Sequence, residues 1–275
     1  LKVLASVRPN SLPVIRLLLS ALISQGKVDE AAPILEAVRE AGVEQAWVAL
    51  QTSEVLARQG DAEGAMTWLA KAAELAPENE QIAMRLSMGE ILLGDAARGF
   101  DQLEALAEAE ESTDAVRFAL VSAYLNDGRR DEALGLAQSL VDADPSNVQR
   151  LALLGNTQLN LGMREEARTT YERALEIDPN LPLPLTNLAR LDLAAGDVSS
   201  AKTRLNTVLQ AFPGAPLPSL LLAEVLAERE GNIREAAEVL DLALAKRPEA
   251  PQLQILRAYL RVEQGNPARA LEGAG

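Results

Sequence analysis

Apolar residues recur along most of this chain in stripes of helical spacing, separated by short polar breaks that contain glycine. The stretch from 148 to 179, VQRLALLGNTQLNLGMREEARTTYERALEIDP, shows the pattern most clearly. Leu151, Leu154, Leu159 and Leu161 fall at near-helical spacing before Gly162, and Ala167, Tyr171, Ala174 and Leu175 do so after it. Each half therefore predicts an amphipathic helix with a single stripe to bury. Pro179 ends the second helix, because proline lacks the backbone N–H that the next turn needs.

Sliding this pair along the sequence shows that it is a repeat. The turn glycine recurs at Gly26, Gly60, Gly94, Gly128, Gly162, Gly196, Gly231 and Gly265, always 34 residues apart except for 35 between Gly196 and Gly231, which places one insertion near Glu230. The closing proline recurs at Pro9, Pro77, Pro145, Pro179, Pro213 and Pro248, with Val43 and Glu111 in the two slots that lack it. A third ladder runs in phase through Ala31, Ala65, Gly99, Ala133, Ala167, Ala201, Ala236 and Ala270. Small residues at this point let the two helices of a pair approach closely. Complete repeats are expected at 12–45, 46–79, 80–113, 114–147, 148–181, 182–215 and 216–250. Residues 1–11 read as the end of a preceding, truncated repeat and 251–275 as an eighth, truncated one, so the array is expected to belong to a longer protein.

Composition sharpens the fold class. Residues are 48% hydrophobic but only 3% aromatic, which suits many small helix–helix contacts better than a sheet core. Each repeat packs on its neighbours alone, so 275 residues read as one solenoid domain. The net charge of −14 opposes nucleic acid and anionic membrane surfaces as partners. No apolar run is long enough to cross a bilayer, so no membrane insertion of this segment is expected.

The residues at Leu151, Leu154, Gly155, Ala167, Tyr171, Ala174 and Pro179 carry a resemblance to the tetratricopeptide repeat family, whose 34-residue unit is a helix–turn–helix. The family's motif tryptophan is replaced by Leu151. The resemblance implies an all-α, right-handed superhelical solenoid of about seven and a half repeats, in which the first helices line a concave groove that binds proteins or peptides. Candidate groove residues, taken by spacing, are Trp47, Leu50, Met84, Met88, Ile91, Phe118, Ser122, Leu125, Asn156, Asn187 and Arg190, with Arg16, Ser20 and Glu54 beside them. Met84, Met88, Ile91, Phe118 and Leu125 predict an apolar, adaptable stretch, since methionine thioethers fit varied partners. The carboxylate clamp of chaperone-binding family members places two Asn where Asn156 and Asn187 stand. Its cationic positions are Ala152, Leu217 and Leu221 here, so binding to chaperone tails is not expected.

Catalysis and cofactors are not expected. The sequence has no His and no Cys, which removes the commonest bases, nucleophiles and zinc ligands. Between Asp101 and Asp114 the chain carries Asp101, Glu104, Glu108 and Glu111 without a basic residue, a solvated face or a docking patch for a basic partner. The alanine- and leucine-rich, Cys-free repeats resemble those of large bacterial tetratricopeptide proteins of exopolysaccharide export and biofilm assembly, of the PEP-CTERM type. That resemblance implies a non-enzymatic scaffold in the periplasm or on the periplasmic face of the outer membrane, touching other envelope proteins. The alternatives are a lipoprotein adaptor presenting substrates to a periplasmic protease, the non-catalytic part of a larger enzyme, and a cytoplasmic location.

Overall fold

A computed structural model describes residues 12–263. Gly265, Ala270 and the expected truncated repeat at 1–11 lie outside the described residues, as does the end of the eighth repeat. The described residues form helices and no strand. The helices are α1 (Leu12–Ser24), α2 (Val28–Glu40), α3 (Ala46–Arg58), α4 (Ala62–Leu75), α5 (Glu80–Leu93), α6 (Ala96–Glu108), α7 (Asp114–Asp127), α8 (Arg130–Ala143), α9 (Val148–Asn160), α10 (Arg164–Ile177), α11 (Pro182–Ala195), α12 (Val198–Ala211), α13 (Pro216–Glu224), α14 (Ile233–Lys246) and α15 (Pro251–Glu263). Odd-numbered helices precede the turn glycines and even-numbered helices follow them. The fold is an all-helical repeat solenoid.

The turn glycines explain themselves. Gly26, Gly60, Gly94, Gly128, Gly162, Gly196 and Gly231 all adopt positive φ, between 66° and 118°. Only glycine takes this left-handed conformation without a Cβ penalty, and it ends one helix so that the next can fold back. Where the closing proline is missing, other devices stop the chain. At the Val43 slot Gly42 turns with φ 75°. At the Glu111 slot the Glu80 carboxylate accepts the Thr113 N–H (2.9 Å) and Oγ–H (2.7 Å), while Arg117 Nη1 donates to the Ser112 carbonyl at 3.0 Å. The Thr113 backbone bond, first among these, holds the Glu80 carboxyl below the usual carboxylate range.

Packing divides the chain into two compact units, Leu1–Arg129 and Arg130–Gly275, with the division inside the fourth repeat. In the first unit each helix packs on its chain neighbour from α1 to α7, and α1 touches α3 as α5 touches α7. The first helices thus form one layer and α2, α4 and α6 the other. Leu19, Leu35, Val38 and Val48 form one core cluster, and Ala49, Leu69, Ala72 and Ile82 another. In the second unit α9, α11, α13 and α15 form the corresponding layer. The small-residue ladder is buried in both units: Ala31, Ala133, Ala167, Ala201 and Ala236 are fully covered.

The inserted residue is absorbed without breaking the register. Val225–Arg229 continues α13 as one π turn, which takes up one extra residue per turn. Val225 and Leu226 therefore stay in the core. Lys202 pairs with Glu230 at 2.8 Å just beyond it. Deleting Arg229 is expected to relax the π turn to α and leave helix content by circular dichroism unchanged. Deleting Thr203 in α12 instead is expected to unfold the second unit, because it rotates the following stripe by about 100°.

Candidate functional site

The first-helix layer of the first unit carries two depressions that share Leu50, Glu54 and Arg85. One, of about 330 Å³, lies over α1 and α3 and is lined by Arg16, Ser20, Trp47 and Gln51, with Arg58 and Arg85 at its edge. The other, of about 280 Å³, is lined mainly by apolar groups, among them Met66, Leu69, Gly89, Leu92 and Leu93. Gly89 matters there, since a Cβ at that position would run into the Met66 thioether. Leu92 and Leu93 are 72% and 56% exposed, high values for leucines that border a recess.

The electrostatics of this place run against the net charge of the chain. Three arginines, Arg16, Arg58 and Arg85, line the same depression as one carboxylate, Glu54. Glu54 accepts from Arg58 Nε at 2.8 Å and lies 3.8 Å from Arg85 Nη1. Arg16 makes no ion pair among the described residues. Gln51 Nε2 donates to Ser20 Oγ at 2.8 Å and reaches the Arg16 carbonyl at 3.4 Å, tying α1 to α3 beneath the cations.

Of the residues expected from spacing, Trp47 and Leu50 line the depressions. Met84, Met88, Ile91, Phe118 and Leu125 stand half-buried on α5 and α7 of the same unit. Ser122 is exposed, its hydroxyl donating to the Phe118 carbonyl at 3.0 Å. The polar trio lies in the second unit, where Asn187 is buried. Its Nδ2 donates to Asn156 Oδ1 at 2.8 Å and to the Tyr171 hydroxyl at 3.0 Å, and the Tyr171 hydroxyl donates to Asn156 Oδ1 at 2.5 Å. The two asparagines thus serve each other and Tyr171 first. With both donors on its Oδ1, the Asn156 amide is oriented and its Nδ2 stays free to donate. Exposed Arg190 touches Asn187 Oδ1 at 3.4 Å and pairs with no carboxylate among the described residues.

The acidic stretch changes character in the fold. Asp101, Glu108 and Glu111 are exposed, but Glu104 is half-buried, accepting from the Tyr124 hydroxyl at 2.8 Å and from Arg129 at 3.0 Å. Arg129 also covers the Tyr124 ring at 4.2 Å, and Tyr124 stacks on Phe100 at 5.7 Å. Arg117 lies 3.9 Å from Asp114. Arg129, distant in sequence, and Arg117, just after the stretch, therefore offset part of the charge that the linear stretch displays. The described residues include no group of three or more acidic side chains able to hold a metal ion.

Two family models, both described as Tetratricopeptide repeat, match this chain, one over 125–191, 161–225 and 192–260 and the other over 17–80 and 93–148. The chain belongs to the tetratricopeptide repeat family. No curated protein matches it in sequence. Among solved structures it is similar to yeast Tom70, with TM-score 0.71 and 16% identity over 90% of this chain; it spans 53% of that one, about half its length. It is also similar to a tetratricopeptide repeat protein from Parabacteroides merdae, with TM-score 0.54 and 17% identity over 82% of this chain and 89% of that one. The C-terminal part of a repeat protein from Cytophaga hutchinsonii gives TM-score 0.51 and 13% identity over 86% and 97%. At these identities the likeness concerns the fold.

The arginines of the depression carry a signal in the repeat spacing. The clamp positions tested at Ala152, Asn156, Asn187, Leu217 and Leu221 recur four repeats earlier as Arg16, Ser20, Gln51, Gln81 and Arg85. Arg16 already stands beside the groove candidates, and the 34-residue spacing places Arg85 at a cationic position of the same set. Arg58, Met66, Leu92 and Leu93 had no such signal, because they join the site through packing between helices.

Proposed function

We propose that this tetratricopeptide chain is a non-enzymatic scaffold that binds a protein segment on the first-helix layer of its first unit. The observation that carries the reading is the arginine-rimmed depression lined by Arg16, Gln51 and Arg85 in a chain of net charge −14. Arginine forks suit a partner carboxylate, and the half-buried Trp47 ring beside them offers apolar area to the same segment. From there the segment runs over Met84, Met88, Ile91, Phe118 and Leu125, half-buried groups that offer apolar area without a fixed shape.

The same proposal places the chain at the bacterial envelope, in exopolysaccharide export or biofilm assembly, and rests there on the alanine- and leucine-rich, Cys-free style of the repeats. Capture from an envelope lysate followed by titration of the identified partner tests both parts. Arg85→Gln is expected to weaken the partner several-fold, and Phe118→Ala to cost at least about 1 kcal/mol if it is a hot spot, with helix content unchanged. The comparison variant is Glu108→Lys with Glu111→Lys on α6 and the turn after it. Loss of binding there, with Arg85→Gln and Phe118→Ala intact, would move the site to the acidic surface and refute this reading.

A further inference from the structure

The two depressions of the first unit meet at Glu54, which stands among the arginines and also borders the apolar recess. We infer that Glu54 is a built-in competitor that selects the partner: the chain takes a segment bearing a carboxylate next to a large apolar side chain. This rests on the reading above, that the arginine-rimmed depression is where a segment binds.

In the free protein Glu54 occupies the place a partner carboxylate would take, bonded to Arg58 and within 4 Å of Arg85. Both pairs are solvent-exposed, with Glu54 at 36% and the arginines at 42% and 44%. Exposed ion pairs of this kind are weak, so an incoming carboxylate can displace Glu54, though it gains little by exchanging one carboxylate for another. A second, independent gain must therefore decide affinity. It lies next door, where Leu92 and Leu93 stand exposed and the Met66 thioether, resting on Gly89, forms a wall that adjusts to its guest. An apolar side chain entering there removes that leucine surface from water while its neighbouring carboxylate meets the arginines. Acidic segments without such a side chain are rejected by Glu54, and apolar ones without a carboxylate leave Arg16 unanswered.

The experiment presents the full chain to an array of random short peptides with free carboxyl termini and to the same array amidated. The expected bound set has an acidic residue, or the free terminus, within a few positions of Leu, Ile, Met or Phe; the amidated array separates side-chain from terminal carboxylates. Glu54→Gln is expected to tighten purely acidic peptides at least about threefold and blur the apolar requirement, since it removes the competing charge. Leu93→Ser is expected to abolish the apolar preference while acidity still counts. If Glu54→Gln weakens acidic peptides or leaves them unchanged, the inference is overturned; if Arg85→Gln still weakens them, the reading of the site survives it. If neither array is bound, or Arg85→Gln changes nothing, both fall together.

Discussion

Tyr171→Ala is expected to destabilise the second unit by about 3–5 kcal/mol, the range for emptying a large buried aromatic site. Tyr171 is fully buried, and its ring fills the space left by Gly155, where even a Cβ would come within 2.5 Å of the ring. The hydroxyl also joins Asn156 to Asn187, so truncation leaves buried polar groups short of a partner. Chemical denaturation monitored by circular dichroism measures the loss, and a change below about 1 kcal/mol would contradict the packing described, given the cavity cost. Tyr171→Phe separates the ring from the hydroxyl, keeping the first and removing the second. A pH series supplies an independent check. Burial, against smaller opposing effects of Asn187 and Arg190, pushes the Tyr171 hydroxyl up from 10.0 to about 12. The folded state therefore holds this proton more tightly than the unfolded chain. Its contribution is fully present below pH 10 and is expected to be lost as pH rises from there toward 12.

The second large effect is expected at Asp192, which is 3% exposed on α11 and holds Arg168 of α10 at 2.6 Å and Arg204 of α12 at 2.8 Å. Asp192→Ala strands two cations at once. Because both arginines keep about a quarter of their side-chain surface in water, the cost falls below that of a fully buried pair, at about 2–3 kcal/mol. The equivalent position in other repeats is Leu22, Leu56 and Leu226, so an apolar interior is compatible with the fold there. Combining Asp192→Leu with Arg168→Leu and Arg204→Leu is accordingly expected to recover most of the loss, whereas the additive sum of three damaging changes would show that the ionic link itself is required.

The position of Asp192 also illustrates what repetition conceals. In the middle repeats this slot holds Glu90, Tyr124, Gln158 and Asp192, each with a different answer. Glu90 faces Arg98 at 3.5 Å, Tyr124 reaches Glu104, Gln158 accepts from Thr170 Oγ at 2.7 Å, and Asp192 binds two arginines. Each partner lies on a second helix of the same or the preceding repeat. A linear pattern marks the slot as polar within a buried stripe but does not name the side chain that satisfies it.

What the sequence by itself determined is whatever recurs locally: helix after helix from the apolar stripes, turns from glycines that alone accept positive φ, close pairing from the alanine ladder, and the site of the insertion from a single 35-residue interval. These depend on residues within one repeat or its immediate neighbour, where spacing fixes geometry. Tertiary structure decided how the extra residue is wound, as a π turn at Val225–Arg229, and how the turns lacking proline are closed, by Gly42 and by Glu80 with Arg117. It also decided the charges. Arg129 offsets Glu104 in a stretch that reads as purely acidic, Asn156 and Asn187 spend most of their hydrogen bonds on Tyr171 and each other, and the arginines gather around Glu54 from three helices. The physical reason is range: a stripe or a turn is set by neighbours in the chain, whereas a long polar side chain chooses its partner from whatever folding brings within about 3 Å.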